Sequence, residues 1–228
     1  MRHPDGMHKL ALAAFIGTSA LVVIAVAFWG TRFLALHSTQ ATTPTQPINN
    51  NALLGFPMKG DLAPDFNLVD QFGHPVALSS LRGHEVVLAF IDSRCTTLCP
   101  LTANIMYDAR VQLGSSAAKR VELVAVNANP AATSVATVQS WSINHGMLHQ
   151  WLFLTGTAQQ LQSVYHQYGV YVQADSSGQD VHDPAMYIID AQGHERLFFE
   201  TLDSNSKPDL SSEESGLEIG MRQWLPQP

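Results

Sequence analysis

Residues 86–113 read VVLAFIDSRCTTLCPLTANIMYDARVQL. The first six, Val86 to Ile91, form an unbroken apolar run, the pattern of a strand covered on both faces of its sheet. Beyond Pro100, apolar residues fall at Leu101, Ile105, Val111 and Leu113, and that spacing behind a proline predicts a helix. Cys95 and Cys99 sit between the two. The stretch therefore predicts a central strand, a short cysteine-bearing loop and a helix, and the C-terminal edge of such a strand is where α/β sheets place ligands.

The flanking sequence agrees with this frame. Ala63 to Asp70 alternates apolar and polar, meets a turn at Gln71-Phe72-Gly73 and continues as Val76-Ala77-Leu78, which predicts a hairpin. Val121 to Val126 predicts the next strand, closed by Asn129-Pro130, and a helix follows over 134–145. Trp151 to Leu154 predicts a short strand. Thr157 to Tyr168 predicts a helix with Thr157 as its N-cap and Leu161, Val164 and Tyr168 on one face. Met186 to Asp190, a turn at Ala191-Gln192-Gly193, and Arg196 to Glu200 predict a second hairpin, and a helix closes the chain over 212–224. The fold class is α/β, a mixed sheet flanked by helices.

The N-terminal part is different. Leu10 to Gly30 carries no charged residue, and about 20 apolar residues are what a helix needs to cross a bilayer. Arg2 and Lys9 precede it and Arg32 alone follows closely, so the charge bias places the N-terminus in the cytoplasm and the rest outside. Ala25-Val26-Ala27 also fits a signal-peptide cleavage site, and either reading exports the domain. Residues 31–58 are rich in Thr, Gln, Asn and Pro and read as a flexible linker. The expected organisation is thus a cytoplasmic N-terminus at 1–9, a transmembrane helix at 10–30, the linker at 31–58 and one globular domain at 59–228. The location that follows is a single-pass cell-membrane protein with its domain facing the periplasm or cell exterior. A net charge of −7 without any Lys/Arg cluster argues against nucleic acid as a partner.

Two cysteines cannot build a disulfide framework, so their purpose is local. With Cys99 in the first helical turn, the helix N-terminus stabilises its thiolate, and Cys95 can fold back beside it. Two such thiolates suit a soft ion such as Cu(I). In an oxidising compartment they can equally close to a disulfide, and a purely structural disulfide or two inert buried thiols also satisfy the spacing.

FIDSRCTTLCP at 90–100, followed by VHDPAMYIIDAQG at 181–193, resembles the Sco/SenC family. APDFNLVDQFG at 63–73, Arg82-Gly83 before the central strand, WLFLTG at 151–156 and YGV at 168–170 resemble it as well, so the likeness runs from about Lys59 to Trp224. It implies a thioredoxin-like fold and a copper site made by Cys95, Cys99 and His182. It further implies a metallochaperone that serves the copper centre of cytochrome c oxidase, with the copper-receiving subunit of a membrane oxidase as partner.

His182 is expected in a loop just before the Met186 strand, with Asp183 as a candidate orienting partner. Met186 is soft enough for copper but is expected in the core, while His145, His149 and His166 flank helices and are not expected as ligands. Pro184 stands where thioredoxin-like reductases carry a proline against their disulfide, which keeps a thiol-disulfide oxidoreductase open as the alternative, with Cys95 and Cys99 as its redox pair. A peroxidase also shares the APDF opening, but Asp92 occupies the position three before Cys95 where such enzymes carry threonine. One departure from the family is visible: Asn129-Pro130 and Thr133-Ser134 stand where Asp-Pro and Asp-Thr are common.

Overall fold

The computed structural model describes residues 54–174, 180–182, 185–201 and 210–226. The apolar segment 10–30, most of the linker, Asp183 and Pro184 lie outside the described residues. Among those described, no helix is long and apolar enough to cross a membrane.

A six-stranded mixed sheet forms the centre. Its strands are β1 (Phe56–Pro57), β4 (Glu85–Ile91), β5 (Val121–Asn127), β6 (Leu152–Leu154), β9 (Ala185–Ile189) and β10 (Glu195–Glu200), in the order β1-β10-β9-β4-β5-β6. β4, β5 and β6 run parallel, whereas β9 is antiparallel to β4 and β10 to β9. β4 is buried at every position, as its unbroken apolar run requires of a strand with helices on both faces.

Alternate residues of β4 enter two separate cores. Val87, Ala89 and Ile91 pack with helix α1 (Leu98–Gln112), with Val138 and Trp141 of α3 (Val135–Asn144), and with Leu217 and Met221 of α5 (Leu210–Trp224). Val86, Leu88 and Phe90 face Leu161, Val164, Tyr165 and Tyr168 of α4 (Ala158–Tyr168) and the small hairpin of β2 (Asn67–Val69) and β3 (Pro75–Ala77). Each such Leu or Phe contributes roughly 1.5–3 kcal/mol of burial, so the cysteine loop starts from a stiff platform. A short helix α2 (Ser115–Ala118) links α1 to β5.

Local signals set the boundaries. Thr157 and Gln160 form a capping box at the start of α4, and Ser134 accepts the Thr137 N–H to start α3. The β9–β10 turn needs Gly193 at φ 89°, where a Cβ would also strike the Arg82 guanidinium. Two features differ from the sequence expectation. β1, a two-residue edge strand on β10, escapes any periodicity test. His182, expected in a loop, is instead the last residue of β8 (Asp180–His182), paired antiparallel with β7 (Val172–Ala174) so that His182 stands opposite Val172. Three-residue strands are too short to show alternation, which is why that ladder could not be read.

Candidate metal centre

β4 ends at Ile91, and the chain turns through Asp92 to Thr97 before α1 begins at Leu98. The turn is pinned from below. The Cys95 N–H donates to the Asp92 carbonyl at 3.1 Å, the Arg94 N–H to the Asp92 carboxylate at 2.7 Å, and the Ser93 N–H to Asn127 Oδ1 at 3.4 Å. Asn129 Nδ2 donates to Asp92 Oδ1 at 2.9 Å, with both side chains fully buried.

Cys99 occupies the second position of α1, as its place beside Pro100 led us to expect, and is buried against the core, while Cys95 on the loop is half-buried. Thr97, at the N-cap, makes no side-chain capping bond. The sulfur of Cys95 takes that role instead, accepting the Cys99 N–H at 3.4 Å with Thr97 Oγ1 at 3.8 Å. A thiolate is the form best suited to accept from a helix N-terminus. Hydrogen bonding from the Cys99 thiol, against the cost of half-burial, lowers the Cys95 pKa from 9.0 to about 5, helped by the Cys99 and Thr97 N–H groups. The same hydrogen bond and burial push Cys99 far up, so near neutral pH the pair holds a thiolate at Cys95 and a thiol at Cys99, the reverse of the helix-stabilised Cys99 thiolate expected from the sequence, because the helix N–H at position 99 points to the Cys95 sulfur while Cys99 itself is buried.

His182 arrives from the other side. The β7–β8 ladder holds it, and its Nε2 stands 3.5 Å from Cys99 Sγ, linking positions 83 residues apart. The structure therefore brings the three residues singled out from sequence to one place. They do not form a closed ligand shell: among the described residues no three His, Cys, Asp or Glu side chains surround a common point. Cys99 and His182 face each other while Cys95 is turned toward the helix N-terminus. Two thiols and one imidazole nitrogen are nonetheless a donor set that fits a soft, low-coordinate ion once Cys95 rotates inward.

The remaining candidates go elsewhere. Met186 is buried at 2 % exposure in the core beneath Cys99, as expected of it. His145 caps α3, where its ring stacks on Trp141 at 3.9 Å, and His149 stacks on Phe72 at 5.7 Å.

Comparison with known proteins gives this geometry a context. The family model described as SCO1/SenC matches residues 57–212. The chain belongs to the SCO1/SenC family. Among curated relatives, "Putative copper-binding protein" of Stutzerimonas stutzeri is 27% identical over 137 residues, covering 58% of this chain and 66% of the relative. "Peroxiredoxin Q, chloroplastic" of Sedum lineare is 33% identical over 82 residues, covering 36% of this chain and 43% of that protein. The chain thus spans less than two thirds of either relative. The crystal structure of Arabidopsis thaliana ScoI with copper bound superposes with a TM-score of 0.62 at 21% identity, covering 72% of this chain and all of that one. That likeness places this SCO1/SenC chain in the Sco thioredoxin-like fold.

Two contributors to this cluster give no functional signal in the sequence. Asn129 reads in the sequence as the close of a strand and as a departure from the family, yet its amide holds the loop through Asp92. Trp141 drew no attention, although its indole N–H donates to the Cys95 carbonyl at 3.2 Å. A tryptophan inside a predicted helix gives no signal beyond core packing.

Proposed function

We propose that this protein is an extracytoplasmic copper metallochaperone that takes copper between Cys95, Cys99 and His182 and passes it to the copper-receiving subunit of a membrane oxidase. The observation that carries the reading is the approach of His182 Nε2 to Cys99 Sγ at 3.5 Å, with the Cys95 sulfur 3.4 Å from the Cys99 nitrogen. A soft thiolate pair suits Cu(I), and a neutral imidazole completes a three-coordinate set. The half-buried Cys95 is the ligand placed to exchange with an incoming partner, since Cys99 is sealed in the core. The copper-bound structural neighbour, the relative named as a putative copper-binding protein and the family match support the same reading. The segment 10–30 serves as the anchor, and the linker that begins at 31 and ends before β1 serves as the tether by which the domain reaches a partner in the same membrane.

Titration of the reduced domain against a Cu(I) chelator tests this. His182→Ala removes one of three ligands and weakens binding about a hundredfold, roughly 2.7 kcal/mol. Equal affinities of wild type and variant would remove His182 from the site and the reading with it.

A thiol-disulfide oxidoreductase is the second reading, and one observation favours it. Cys95, lowered to about 5, beside a buried and protonated Cys99, is the arrangement of an attacking thiolate and its resolving partner. His182→Ala leaves both sulfurs in place, so disulfide reduction that persists alongside unchanged copper affinity selects this reading.

A further inference from the structure

The bonds that fix Cys95 fall into two groups. Those with Asp92, Thr97 and Cys99 come from its own loop and from the first turn of α1, and all of them move together if the loop shifts. The bond from the Trp141 indole reaches across 46 positions from α3, an element separate from the loop and from α1. Trp141 is itself 5 % exposed. Its ring stacks on Trp151 at 5.5 Å and 25°, meets the Phe153 ring edge-on at 5.6 Å, and carries His145 on its other side at 3.9 Å. An indole held by three aromatic neighbours gives its N–H one direction, and that direction is the Cys95 carbonyl.

We propose that Trp141 is a positioning residue for Cys95. Its indole N–H sets where the Cys95 carbonyl sits relative to the sheet, and through that backbone the place of the Cys95 sulfur against the Cys99 N–H and thiol. The inference rests on Cys95 and Cys99 being a working pair; it does not need copper to be the cargo. Among the described residues Trp141 and Trp151 provide a matched control. Both are buried indoles in the same stack, but the Trp151 N–H donates to Ser142 Oγ at 3.0 Å, away from the cysteines. Replacing either with phenylalanine keeps a ring and removes one donor. The two substitutions share their effect on the core and differ in which group loses its bond.

The test equilibrates the domain with glutathione. The two thiols give up two electrons and two protons to glutathione disulfide, which becomes two glutathione thiols, and the protein gains the Cys95–Cys99 disulfide. The Trp141 bond is present with both cysteines free, and a hydrogen bond made by the dithiol form and lost on oxidation is worth a factor of about ten. Trp141→Phe therefore favours the disulfide about tenfold, a fall in potential of about 30 mV, while Trp151→Phe stays within twofold of wild type. Equal shifts in both variants, or none in Trp141→Phe, overturn the proposal. Should Trp141→Phe not fold, the wild type decides: alkylating Cys95 moves the 15N–1H indole resonance of Trp141 and leaves that of Trp151 in place, and an unmoved Trp141 resonance overturns the proposal. Neither measurement contains copper, so failure of the chaperone reading leaves this test intact.

Discussion

Replacing Cys99 with alanine asks the most of the site electrostatics. In the reduced protein the Cys99 thiol donates to the Cys95 sulfur, and this bond is the largest cause of a pKa lowered from 9.0 to about 5. At pH 7 a thiol with that pKa is about 99% thiolate, whereas one at the ordinary value is about 1% thiolate. The sign is that of an acid whose charged form is favoured in the fold: thiolate persists as pH falls and is lost only near pH 5. Cys99→Ala removes the principal donor but keeps the backbone N–H groups of positions 97 and 99, so the midpoint rises from about 5 without returning to 9.0. The assay follows thiolate absorbance or the pH dependence of iodoacetamide alkylation in the metal-free, reduced domain, where buried Cys99 stays unreactive. A wild-type midpoint near 8–9, or a midpoint that Cys99→Ala leaves unchanged, refutes the reasoning that Cys95 is the helix-capped thiolate of the pair.

Other expectations follow from the same structure. Glu85 is fully buried at the far end of β4, neither of its carboxylate oxygens has a hydrogen-bond partner among the described residues, and burial with Asp190 nearby raises its pKa from 4.5 to about 9. Folding therefore retains a proton that the unfolded chain releases, and stability falls as pH rises from 4.5 toward 9; at pH 7.5 the loss is roughly 4 kcal/mol, and Glu85→Gln removes it. Urea melts from pH 4.5 to 8 with parallel profiles for the two proteins would contradict this. Cys95→Ser and Cys99→Ser each abolish tight Cu(I) binding while far-UV circular dichroism stays unchanged, and unaltered copper stoichiometry in either counts against the ligand set. A reporter that is active only in the cytoplasm, fused after Pro228, is expected to be silent, and its activity would reverse the topology read from Arg2, Lys9 and Arg32.

Much of the frame was legible because it is written in local patterns. The β4 run, the Thr157 cap and the β9–β10 turn around Gly193 each depend on residues a few positions apart, and the structure places elements where those patterns point. Cys99 in the first turn of α1 was legible for the same reason. The rest depends on contacts that periodicity does not record. Pairing of Val172 with His182 and donation from Trp141 to Cys95 across 46 positions are properties of the assembled sheet. The approach of His182 to Cys99 became an expectation only through the family resemblance, because an isolated histidine before a strand carries no sign of what it faces.

The departure at Asn129 shows how the loop accommodates a different residue where the family often has aspartate. Asp92 is fully buried, and its Oδ1 accepts from the Arg94 N–H and from the Asn129 amide. An aspartate at 129 would set a second carboxylate within hydrogen-bond distance of the first, and one of the two would have to keep its proton. The amide avoids that conflict and supplies a donor under every condition. In this chain the loop that carries the half-buried Cys95 is therefore clamped through one buried amide, which donates to the same carboxylate oxygen that accepts the Arg94 N–H.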